Sequence, residues 1–165
     1  MPGSDRTILH PVVDIGWHTG PRAELRHMFE LAEDSAEQLD SYVTLGRVLV
    51  AVDDGSVVGH LQLVGSETAG EVELKSMAVV EHQRHNGVGR ALVERAVAES
   101  RAGGANTMLV STATASTGNL RFYQRLGFRM LSIDRDAFTA DTGYPDGITI
   151  EGIPLRDRVW LSMAL

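Results

Sequence analysis

Two apolar runs, Arg47-Val-Leu-Val-Ala-Val and Val57-Val-Gly-His-Leu-Gln-Leu-Val, flank Asp53-Asp54-Gly55 and predict a β-hairpin. The next run, Glu71-Val-Glu-Leu-Lys, alternates and then turns apolar from Met77 to Val80. That change predicts a strand entering the core, with a bulge near Met77-Ala78. After a polar loop, Leu92, Val93, Ala96 and Val97 recur at helical spacing over residues 88–101, and Gly103-Gly104 ends the helix. A strand over 107–112, a short helix from Thr117 to Leu126 closed by Gly127, and strands at 128–133 and 158–164 follow. Before the hairpin, Thr7-Ile-Leu and Val12-Val-Asp-Ile suggest a first strand. Pro21 to Glu33 predicts one helix with Leu25, Met28, Phe29 and Leu31 on its apolar side. A second helix starts at Asp34 or Ser35 and stops near Gly46. Residues 135–157 show no element, and structureless stretches of that length are usually functional. Strands first, then strand–helix–strand–helix–strand, predict a mixed sheet with helices on its faces.

At 165 residues and 43% apolar, the chain suits one domain with its own core, and it shows no repeat, linker or low-complexity tract. No run approaches a membrane span, and the first residues lack the apolar segment of a secretory signal. Cysteine is absent, which excludes disulfides, thiolate metal sites and an S-acyl enzyme, and suggests a cytoplasmic protein. A net charge of -7 disfavours nucleic acid and anionic membranes as partners. The charge is uneven: residues 1–83 carry 14 acids and 5 bases, residues 84–165 carry 8 acids and 10 bases. An anionic ligand on the second half and a cationic one near the first would suit that split. The only lysine is Lys75, and no Gly-Lys occurs, so a P-loop nucleotidase is excluded.

The strongest chemical signal is Arg84-His85-Asn86-Gly87-Val88-Gly89-Arg90, between a buried strand and a helix. A helix start leaves backbone N–H groups unpaired and carries a partial positive charge. Glycines at 87 and 89 let a phosphate approach those groups. A dinucleotide fingerprint fails here, because leucine stands at position 92 where glycine or alanine is wanted and no acid lies near position 107. The six histidines give no HExxH and no third ligand beside His82 and His85, so no metal is expected. No G-x-S-x-G elbow occurs either.

Arg84-x-x-Gly87-x-Gly89 resembles the Gln/Arg-x-x-Gly-x-Gly/Ala signature of the GNAT superfamily of acetyl-CoA-dependent N-acetyltransferases. Asn119-Leu-Arg-Phe-Tyr123-Gln-Arg-Leu-Gly-Phe128 is similar to the family's Asn…Phe-Tyr-x-x-x-Gly-Phe segment. The two motifs lie about 30 residues apart in the family's order, and the resemblance covers residues 47–134 best. The tail, from Asp134-Arg-Asp-Ala-Phe138 to Trp160-Leu-Ser, resembles a bacterial subgroup. The resemblance implies an α/β (α+β) fold: a single GNAT-like domain over 1–165, with a mixed, mostly antiparallel sheet flanked by helices and two splayed strands forming the CoA cleft. In that frame residues 70–134 bind acetyl-CoA, while residues 1–69 and 135–157 face the acceptor.

The same resemblance implies site residues. The backbone of Arg84, His85, Asn86, Gly87, Val88, Gly89 and Arg90 would hold the pyrophosphate. The pantetheine arm would pair with Met77, Ala78 and Val79, with Asn119 touching it. A bulge near Met77-Ala78 would free an N–H for the thioester oxygen as it becomes negative. Tyr123 occupies the family's general-acid position. Glu73 stands where the histone acetyltransferase branch keeps its base, on one face with Lys75 and, if no bulge intervenes, Met77; Glu71 and an ordered water relay are the rivals.

The resemblance, together with the absent cysteine, implies direct transfer of acetyl from acetyl-CoA to a primary amine of a small molecule. The amine would enter over the first helices, the hairpin and the loop 135–157, where Asp34, Glu37, Asp40, Asp134 and Asp136 could hold a cation. A protein-lysine or N-terminal acetyltransferase is the alternative enzyme, and it would need an open groove rather than a loop folded over the site. A non-catalytic acetyl-CoA sensor is the alternative from another class. Exposed strand edges, especially around the last strand, permit a homodimer.

Overall fold

The computed structural model describes residues 13–165, so Thr7-Ile-Leu and Val12 of the expected first strand lie outside the described residues. The described chain forms β1 (Asp14–Trp17), α1 (Arg26–Glu30), α2 (Ala36–Tyr42), β2 (Arg47–Asp53), β3 (Ser56–Gly65), β4 (Glu71–Val79), α3 (Val88–Ala102), β5 (Thr107–Ala113), α4 (Thr117–Arg125), β6 (Arg129–Asp134), β7 (Thr149–Ile150), β8 (Ile153–Pro154) and β9 (Arg158–Ala164). Seven strands make one sheet in the order β1-β2-β3-β4-β5-β9-β6. Among the described residues, only the β4–β5 pair is parallel. The expected single domain with a mixed, mostly antiparallel sheet is what forms.

β2 shows why its sequence is apolar throughout. Leu49 and Ala51 pack in the core under α3, while Val48 and Val50 pack against Leu25, Phe29 and Leu39 of the first helices. A strand covered on both faces has no polar side to show. Gln62 of β3 is also fully buried, and its Nε2 donates to the carbonyls of Tyr42 and Leu45 at 2.8 Å each. It thereby holds the C-terminal end of α2.

The helix expected over Pro21–Glu33 is shorter and broken: a 3₁₀ turn at Arg22–Leu25 leads into α1. Arg22 ties that turn to the chain after α2, its guanidinium donating to the carbonyls of Val43, Leu45 and Gly46. Ser35 caps α2 by accepting from the Gln38 amide at 3.2 Å.

The bulge in β4 sits two residues earlier than expected. Gln62 pairs with Ser76 and Leu63 with Leu74, which leaves Lys75 as the extra residue. The insertion reverses the alternation of faces. Leu74 joins the core under α3, whereas Ser76 reaches His60 on the opposite side of the sheet at 2.9 Å. Glu73 and Met77 therefore do not share a face.

The last strand is not an edge either. β9 is paired on both sides, and β6 is the edge strand, with Met130, Leu131 and Ile133 exposed. Residues 135–157 are not wholly irregular: they hold a 3₁₀ turn at Ala140–Thr142 and the two-residue strands β7 and β8.

Candidate active site

β4 and β5 pair from Glu71 opposite Thr107 to Leu74 opposite Val110, and then part. Beyond that point β4 stays on β3 as far as Val79, and β5 stays on β9 as far as Ala113. The opening encloses about 190 Å³ and is lined on the strand side by Lys75, Ser76, Met77 and Ser111. Val80 N–H bonds to Val58 O at 2.9 Å, so by the alternation of a strand Met77 and Val79 turn their N–H and C=O groups away from β3 and into the gap. The bulge expected near Met77-Ala78 to free an N–H is not there; the Met77 N–H is free because β5 departs.

At the foot of the gap lies the glycine loop. Gly87 is the N-cap of α3 with φ of 86°, and His85 also has positive φ (65°). Among the described residues, no backbone carbonyl accepts from the amides of residues 85–90; the first helical bond is Ala91 N–H to Gly87 O at 3.0 Å. Six consecutive amides are thus available to an anion at a helix start. Gly89 is needed for another reason. A Cβ there would stand 3.3 Å from Phe122 Cζ, so the glycine lets α4 close against α3.

The loop's side chains divide the work. Arg84 Nε donates to Val79 O at 3.0 Å, so that carbonyl already has one partner in the loop. Ala78 is paired with His60 in the β3 ladder, and its backbone faces away from the gap. Arg90 pairs with Glu94 at 2.8 Å. His85 and Arg90 border a second cavity of about 380 Å³ between α3 and α4, with Arg121 and Arg125 across from them. Those two arginines went unnoticed in the sequence, although their i, i+4 spacing beside the Asn119–Phe128 motif places both on one face of α4.

Across the gap, Asn119 donates its Nδ2 to Thr112 Oγ1 at 3.2 Å, and Tyr123 of α4 lines the opening. Burial pushes the Tyr123 phenol well above its ordinary value, so it stays protonated and can give a proton. Its ring stacks edge-on against Phe122 and Phe128 at 5.2 and 5.6 Å.

Glu73 is not among the lining residues. Its carboxylate lies 3.6 Å from Lys75 Nζ, and Lys75 rather than Glu73 reaches the cleft. The carboxylates the cleft does hold are Asp34 and Glu33, and no sequence motif singles out Glu33. Glu33 accepts from Tyr42 O–H at 3.0 Å and from the Ser35 amide at 3.1 Å.

The loop 135–157 folds over the site. Phe138, Tyr144, Ile150 and Leu155 wall the cleft, and Gln38 Nε2 ties the loop to α2 through Thr142 O at 2.9 Å. The hairpin β2–β3, expected to face the acceptor, supplies no lining residue. Of the five acids expected to await a cation, three are engaged: Asp40 by Arg26, Asp134 by Arg158 and Asp136 by Arg156. Asp34 lines the cleft, and Glu37 lies beside Gly143 of the loop.

Residues 44–130, more than half of the chain, match the family model of the acetyltransferase (GNAT) domain. The chain belongs to the GNAT acetyltransferase family. It is 31% identical over 153 residues to the uncharacterized N-acetyltransferase YvbK of Bacillus subtilis, covering 93% of this chain and 96% of that one. Among solved structures, an IAA acetyltransferase from Bacillus cereus is 33% identical with a TM-score of 0.84, covering 93% of this chain and 99% of that one. A GNAT acetyltransferase from Elizabethkingia anophelis with acetyl-CoA bound is 27% identical, also with a TM-score of 0.84, over 93% of this GNAT chain and 98% of its own.

Proposed function

We propose that this enzyme moves the acetyl group of acetyl-CoA to the primary amine of a small molecule, directly and in a ternary complex. The observation that carries the reading is the row of amides at residues 85–90, free of backbone partners, at the foot of a gap whose β4 edge offers unpaired backbone groups. A diphosphate suits the first and an amide-bearing arm the second, as an added strand would. The arginines at 84, 90, 121 and 125 add positive charge along one end of that track.

The chemistry has three needs: a neutral amine, a donor to the carbonyl oxygen, and a proton for the departing thiolate. Met77 N–H faces the place where the oxygen becomes negative. As the amine nitrogen bonds to the carbonyl carbon and the carbon–sulfur bond breaks, the Tyr123 phenol gives its proton to sulfur, the nitrogen's surplus proton leaves to solvent, and the phenolate takes a proton back from solvent. No cysteine exists to carry the acyl group, in keeping with direct transfer and with a cytoplasmic enzyme. The loop walling the cleft favours a small acceptor over a protein chain, which would need that space open.

The test is thiol release from acetyl-CoA against a panel of small amines and lysine peptides, beside calorimetry with CoA. Release with small amines supports the reading. CoA binding without release for any amine would favour a sensor, and absence of CoA binding would remove the assignment.

A further inference from the structure

We infer that the amine acetylated here carries a second positive charge and that Glu33 selects it; the inference rests on the transfer reading above. Four charged side chains line the cleft: Glu33, Asp34, Lys75 and Arg158. Both cations already have carboxylates of their own, neither of which lines it. Arg158 lies 3.0 Å from Asp134, and Lys75 lies 3.6 Å from Glu73. Among the described residues, no ion pair engages Glu33 or Asp34. The uncompensated charge of the cleft is therefore negative.

Glu33 is the anchor because its position is fixed by neutral donors. Oε1 accepts from the Ser35 amide at 3.1 Å and Oε2 from the Tyr42 hydroxyl at 3.0 Å. Tyr42 is itself buried at the end of α2 that Gln62 holds, so the carboxylate is aimed before any ligand arrives. Burial first, and then the nearby Glu33 carboxylate, oppose the ionisation of Tyr144 from the covering loop. Such donors orient a carboxylate without cancelling its charge, and a partly dry site rewards a counter-ion. Asp34, by contrast, is exposed and adds only to the surrounding field.

The nitrogen that attacks cannot be the one Glu33 holds. An attacking amine must lose its proton, and a carboxylate beside an ammonium keeps the proton on. The group at Glu33 is then a different cation on the same molecule, which points to diamines, polyamines and amines of several ammonium groups.

Initial rates with diaminobutane and butylamine, two amines of one chain length, test this. The expected kcat/KM is at least about tenfold higher for diaminobutane, as a charge-assisted contact would give. In Glu33→Gln, which keeps shape and hydrogen-bond reach, that ratio should fall at least about fivefold. Equal kcat/KM for the two amines in the wild type, or a ratio that survives the substitution, overturns the inference. If neither amine releases thiol, calorimetry on CoA-loaded protein still decides. Tighter binding of diaminobutane that is lost in Glu33→Gln supports the inference, and equal affinities overturn it. Failure of every amine to release thiol would count against transfer itself, and retained CoA binding by the variant shows that it has folded.

Discussion

Leu74 and Val110 are the last residues across which β4 and β5 pair, and the backbone of the cleft follows from that single parting. Each strand remains hydrogen-bonded on its far side, β4 to β3 and β5 to β9, so the two facing edges are rigid and unsatisfied. An edge of that kind is a hazard when exposed to other strands. Here it lies between α4 and the loop 135–157, where a narrow ligand enters and another sheet does not.

Gly87→Ala should weaken CoA binding. A side chain at φ of 86° costs about 1–2 kcal/mol, and the loop relieves that strain by turning its amides out of line. Calorimetry should find CoA affinity lower by about 5- to 30-fold. An unchanged affinity would mean that the amides of residues 85–90 do not grip the diphosphate.

Tyr123→Phe keeps the ring contacts to Phe122 and Phe128 and removes only the hydroxyl. The expected loss in kcat is about 10²- to 10⁴-fold, with CoA affinity nearly unchanged. Because burial raises the phenol's pKa, its proton is not lost as pH rises to about 9, and the wild-type rate should not decline there on its account. A variant with full kcat would take Tyr123 out of the reaction.

Glu73→Gln should leave the pH–rate profile in place. The carboxylate pairs with Lys75 and lies off the cleft lining, so the expected change in kcat/KM is within about threefold, as for a partly exposed ion pair. A profile whose acid limb disappears in the variant would restore Glu73 as the base.

What the sequence made legible was local. The hairpin 47–65, α3 with its glycine loop and the Asn119–Phe128 segment each carry their signal within about a dozen residues, and all stand where expected. The bulge was misplaced because it answers to a two-sided core. Leu74 must face α3 and Ser76 must meet His60, and neither requirement is written into the alternation of β4 itself. The turn joining β7 to β8 has Glu151 and Gly152 both at positive φ, a geometry that asparagine–glycine would announce and glutamate–glycine does not. Tyr144 escaped notice for a third reason: only the fold of loop 135–157 brings position 144 to position 33.

His60 makes the stability of the fold depend on pH. Its ring is fully buried, 4.4 Å from the Phe29 ring, and its Nε2 meets Ser76 Oγ at 2.9 Å. Burial, and then the charge of His27, lower its pKa from the ordinary 6.5 to about 3. Between those values the unfolded chain binds a proton that the folded chain does not. Stability therefore rises with pH across that window, is complete above about 6.5, and is lost as pH falls toward about 3. Acidifying from about pH 7 to about pH 5 should cost the wild type up to about 2 kcal/mol through this residue, or about 4–8 °C in Tm. Other groups titrate in acid as well, Asp134 and Glu99 among them, so the measurement is a comparison. His60→Gln keeps a partner for Ser76 and cannot take up the proton. Its Tm should fall less than that of the wild type over the same acid step, whatever its starting value. Equal falls in the two proteins would show that protonating this imidazole costs the folded state nothing.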